Sequence, residues 1–91
     1  METIKQTKLF LVQDTRRKLT LVEVVDDKIN VVLECNSPYH ASQIAKLSRA
    51  SDNSLEIYTN IPVEYSEILS DYTTPHYMSA ASFLVGLDSN N

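Results

Sequence analysis

Between Ile29 and Ser51 the spacing of apolar residues changes from every second position to helical spacing. Ile29, Val31, Leu33 and Cys35 alternate with Asn30, Val32, Glu34 and Asn36, which predicts a strand with one buried face. Ser37 and Pro38 then supply an N-cap hydroxyl and a first helical residue whose missing N–H costs nothing. Ala41, Ile44, Ala45, Leu47 and Ser48 follow at helical spacing and predict a helix that lies on the strand and ends near Ser51.

Two strands precede this unit. Lys8–Gln13 is apolar at four consecutive positions, Leu9 to Val12, and Leu19–Val25 is β-branched and apolar on both faces, with a change of phase near Leu21–Val22. A polar connection from Asp14 to Lys18 joins them. Asp26-Asp27 sits where a tight hairpin turn belongs, because Asp tolerates left-handed backbone better than most residues. The first half is therefore a three-stranded meander.

After a break at Ser51–Ser54, Leu55–Thr59 reads as a fourth strand. Pro62 marks a second helix, in which Tyr65, Ile68, Leu69 and Tyr72 fall at i, i+3, i+4 and i+7. Thr74-Pro75 repeats the cap-and-proline signal for a third helix, with Gly86 as its stop, although Phe83–Val85 would also suit a strand. The expectation is a single α+β domain over residues 1–91: a four-stranded, mostly antiparallel sheet with three helices in the order β-β-β-α-β-α-α, and a frayed tail at 88–91.

The first two strands are apolar on both faces, and one helix covers only part of one face. Either the C-terminal helices cover the second face, or a second copy of the chain does. Homodimerisation, or another obligate partner, is thus one of two outcomes the pattern allows, the other being coverage within the chain.

Composition narrows the chemistry. The single Cys allows no intramolecular disulfide. No apolar run is long enough to span a membrane, and the apolar run near the N-terminus is too short for a signal peptide, so a cytoplasmic location is expected. All eight Lys and Arg residues lie in residues 1–49 beside six acidic ones, whereas residues 50–91 carry six acidic side chains and no basic one. The net charge of −4 is therefore concentrated in the C-terminal half. The only Gly excludes dinucleotide-binding and phosphate-binding glycine loops.

Cys35 and His40 flank the predicted helix start, where a thiol can be activated, but the alternation puts Cys35 on the core face and no third orienting residue stands near. His40 and His76 have no metal-ligand spacing, so neither a metal nor a cofactor is expected. Glu64 and Glu67 share a helix face without apolar neighbours to raise a carboxyl pKa. No enzyme is implied.

Two clusters point to binding instead. Tyr65, Tyr72, His76 and Tyr77 crowd an acidic segment, and tyrosine offers large contact area with a polar tip. These four residues are the expected interface with a partner protein, which the chain would modulate or inhibit. Arg16, Arg17 and Lys18 form the only dense cationic cluster and carry the alternative, contact with a nucleic acid or nucleotide. The short, acidic, motif-free chain is similar in style to accessory proteins encoded by phages and other mobile elements, a likeness that rests on no motif.

Overall fold

The computed structural model describes residues 6–89. Four strands, β1 (Thr7–Gln13), β2 (Leu19–Val25), β3 (Lys28–Glu34) and β4 (Glu56–Tyr58), form one sheet in the order β3-β2-β1-β4. Helix α1 (Pro38–Ser51) connects β3 to β4, and α2 (Tyr77–Asp88) closes the described chain.

The meander forms as its turn chemistry dictates. Asp26 and Asp27 have φ of 52° and 63°, the pair of left-handed residues that a two-residue hairpin needs to match strand twist. The β1–β2 loop closes differently. The Asp14 carboxylate accepts from the N–H groups of Arg16 and Lys18, at 2.8 and 2.9 Å, while Arg17 takes the left-handed position with φ 65°. The irregularity expected near Leu21–Val22 lies two residues further on, as a register shift at Glu23/Val24 that leaves Asn30 of β3 without a partner across the ladder.

The sheet is mixed, which corrects the expectation of a mostly antiparallel one. β1, β2 and β3 are antiparallel neighbours, but β4 pairs parallel with β1. The reason is the crossover. A strand–helix–strand connection returns the chain in its original direction, so β4 runs parallel to β3 and hence to β1. Because α1 carries the chain from one edge of the sheet to the other, β4 meets β1.

The helix count is corrected too: the described residues hold two α-helices, not three. The segment predicted as the second helix is a 3-10 turn at Val63–Tyr65 followed by further turns. Most of its backbone bonds are i to i−3, such as Tyr65 to Pro62 and Tyr72 to Leu69, with a single i to i−4 bond from Leu69 to Tyr65. Ser66 Oγ donates to the Val63 carbonyl at 2.8 Å, a local bond that competes with helix propagation. The apolar stripe works all the same. Tyr65, Ile68, Leu69 and Tyr72 pack on Phe10, Val12, Val22 and Val24 and cover one face of the sheet.

The opposite face carries Leu9, Leu11 and Leu21, covered by Ala41 and Ala45 of α1 and by Phe83 and Leu87 of α2. The two-faced strands β1 and β2 are thus buried within the chain. β3 is not. All seven of its residues are exposed, and only Cys35 just beyond it enters the core. Its alternation predicted a buried face, but α1 leaves the edge at once and crosses over β2 and β1.

Both helix starts are built from side chains. Ser37 Oγ accepts from His40 N–H at 3.1 Å with Pro38 at the first helical position, as the sequence predicts. α2 starts later than Thr74-Pro75 suggests, with His76 as its cap: the ring Nδ1 accepts from Met78 N–H at 3.2 Å. α2 also passes through Gly86 without stopping and ends at Asp88, after which Ser89 N–H donates to the Gly86 carbonyl at 3.3 Å. Of the tail expected to fray, 88 and 89 are therefore tied to the helix end, while 90–91, like residues 1–5 with the expected N-terminal features, lie outside the described residues.

Candidate functional site

α2 is unusual in composition. From Tyr77 to Leu87 it contains no charged side chain, and a helix apolar all round is normally buried all round. α1 packs against the side bearing Phe83, Gly86 and Leu87. On the outer side Tyr77, Met78 and Val85 are 61–75% exposed. Tyr39 of α1 extends this surface across a shallow groove of about 620 Å³, to which Pro38, Ala81 and Val85 also contribute.

The four residues expected to form one interface are divided between two places. Tyr65 and Tyr72 are half-buried in the core under the irregular segment, with the Tyr65 ring 5.0 Å from that of Phe10. His76 and Tyr77 are exposed at the start of α2, and their rings lie 4.5 Å apart. Because His76 Nδ1 accepts the capping bond, its ring orientation is fixed, and Tyr77 stands beside it as the first residue of the exposed face. Met78, Val85 and Tyr39 were missed by sequence reasoning. A usable signal existed in the absence of charge from Tyr77 to Leu87.

A second, open cleft of about 740 Å³ lies over the other sheet face, between Lys8, Tyr58, Tyr65, Glu64 and Glu67. Its cation is engaged. Lys8 Nζ donates to the Glu56 carboxylate across the β1–β4 pair, which raises the Lys8 pKa and lowers that of Glu56. Tyr58 stacks on Phe10 at 5.1 Å and closes the floor.

The basic turn is partly neutralised. Arg16 Nη2 donates to both oxygens of Glu34, at 3.1 and 3.0 Å, and to Asp14 Oδ2 at 3.2 Å. Only Arg17 and Lys18 of the three cations stand clear of an ion pair among the described residues. The Cys35 thiol is buried, which pushes its pKa up, and Sγ lies 3.7 Å from the Leu33 carbonyl. His40 Nδ1 accepts instead from Asn36 N–H at 3.3 Å. Among the described residues no group of three or more His, Cys, Asp or Glu could hold a metal ion, and no helix is long and apolar enough to cross a membrane. Compared with family models, curated proteins and solved structures, the chain matches none of them.

Proposed function

We propose that this chain is a non-enzymatic interaction module that binds another protein through the outer face of α2, and modulates or inhibits that protein by covering part of it. The observation that carries the reading is the uncharged helix Tyr77–Leu87, buried on one side against α1 and bare on the other. Tyr77, Met78 and Val85, with Tyr39 across the groove from Val85, supply the aromatic and adaptable apolar contacts that concentrate binding energy at protein interfaces. A protein surface suits this face better than a lipid one, since a helix lying on a membrane carries Lys or Arg along its polar side, and α2 has neither. The nucleic-acid reading has less support: two carboxylates hold Arg16, and an acidic chain weakens contact with phosphate.

The test is site-specific photo-crosslinking in cells that naturally make the chain. A crosslinker at Val85 should yield one dominant protein adduct, and the same group at Lys46, on α1, should not. Tyr77→Ala should reduce the adduct while leaving the circular dichroism spectrum unchanged. Equal adduct patterns from both positions would end this reading.

A further inference from the structure

β3 is the long, uncovered edge of the sheet, and its features match those of a second copy of itself. The other edge, β4, is three residues long, whereas β3 offers seven. Ile29, Val31, Val32 and Leu33 are 40–48% exposed and lie on both faces. The register assigns them: Leu33 and Val31, opposite Leu21 and Glu23, share the helix-covered face, while Val32 and Ile29, opposite Val22 and Val24, share the other.

The direction of the backbone groups follows from one bond. Cys35 N–H donates to the Leu19 carbonyl at 2.8 Å, so hydrogen-bonded pairs with β2 recur at Leu33 and Val31. Val32 and Glu34 therefore turn their N–H and C=O groups outward. We propose that β3 pairs antiparallel with β3 of a second copy about a two-fold axis at Val32, joining two four-stranded sheets into one of eight. In this register Val32 meets Val32 as a hydrogen-bonded pair, using the outward groups. Val31 of each copy lies opposite Leu33 of the other, and Glu34 opposite Asn30, so the centre is apolar and its ends are polar.

Charge favours a second copy over an unrelated strand. Asp26 and Asp27 immediately precede β3, and the Arg16–Lys18 turn reaches its far end, where Arg16 binds Glu34. Antiparallel pairing brings the acidic turn of each copy toward the basic turn of the other, about two strand spacings (roughly 10 Å) away, within reach of Arg17 and Lys18. The two-fold repeats this complementarity at both ends. This inference goes beyond the reading of the chain as a module that binds through α2. It uses a surface separate from α2, so either can fail without the other.

The experiment is light scattering on the full chain over a wide concentration range, paired with amide exchange. The expected mass is twice 10.3 kDa. The Val32 and Glu34 amides should be protected in the dimer and exposed on dilution. Val32→Pro removes an outward N–H and no hydrogen bond to β2, and Val32→Lys places a charge against its own copy. Each should raise the dimer dissociation constant at least about tenfold, with the monomer still folded by circular dichroism. A monomeric mass at every concentration would overturn the proposal. So would a dimer indifferent to both substitutions, or protection of Val32 that arises only when a different protein is added. In each of those cases the Val85 crosslinking result still stands or falls on its own.

Discussion

Ser42 and Gly86 meet where α1 and α2 pack closely: a Cβ on Gly86 would lie 2.9 Å from Ser42 Cβ and nearer still to its Oγ. Ser42 is fully buried, and its hydroxyl donates to the Tyr39 carbonyl at 2.7 Å, so it cannot swing aside without losing that bond. The only glycine of the chain is therefore a contact residue, and the close approach lets α2 set Phe83 and Leu87 into the core.

Gly86→Ala should destabilise the fold by about 1–2 kcal/mol, because overpacking outweighs the roughly 1 kcal/mol that Ala gains over Gly inside a helix. Ser42→Gly made in the Gly86→Ala background should recover a large part of the loss. Urea unfolding of the four proteins of that cycle gives the coupling, and strictly additive effects would show that the helices do not meet at this pair.

The turn at Asp26-Asp27 places two non-glycine residues at positive φ. Replacing them together, Asp26→Asn with Asp27→Gly, should raise stability by about 0.5–1 kcal/mol through better turn propensity and loss of like-charge repulsion. The same double change removes the charges proposed to face the basic turn of a second copy. Thermal stability should thus rise while dimerisation weakens at low salt, and the two readouts moving in opposite directions would separate the roles.

What the sequence made legible was local. The hairpin turn, the Ser37-Pro38 helix start and the inward Cys35 all depend on neighbours within a few residues, and the structure contains each of them. What it concealed depended on where elements lie relative to one another. The alternation of β3 looks like that of a half-buried strand, yet an edge position leaves both its faces bare. The Tyr65–Tyr72 stripe matches a helix in spacing, and turns can bring the same four side chains onto the sheet. The direction of β4 followed from the crossover, which no local signal encodes. For the candidate site, Tyr77 was among the four residues the sequence singled out, and its exposure, like that of Val85, Met78 and Tyr39, became visible only in the packing of α2 on α1.

Acid should loosen β4 before the rest of the sheet. A hydrogen bond from Lys8 holds the Glu56 carboxyl below the usual carboxylate range, and the Lys18 N–H does the same for Asp14. For carboxyls lowered in this way, the unfolded chain binds more protons than the folded one in acid. Their contribution is present above about pH 4 and is lost as pH falls through the lowered folded values. The Lys8 pKa is raised, so its part is present below its usual value and disappears only in strong base. The thermal midpoint should fall more steeply with acid in the native chain than in Glu56→Gln. Amide exchange at Ile57 and Tyr58 should accelerate first, since only three residue pairs hold β4 to β1.

Leu69 offers the sharpest test of the irregular segment. It is 1% exposed and packs with Phe10, Val12, Val22 and Val24, although it lies among turns rather than in a helix. If this segment covers the second sheet face through that anchor, Leu69→Ala should cost about 2–4 kcal/mol, from lost transfer energy and an incompletely collapsed cavity. Glu64→Ala and Glu67→Ala, at exposed positions in the same stretch, should stay within about 0.5 kcal/mol. The Leu69 change should also free the rings of Tyr58 and Tyr65 from Phe10, reducing the near-ultraviolet circular dichroism of the tyrosines. Equal small effects at all three positions would mean that the sheet face is held closed by something other than Leu69.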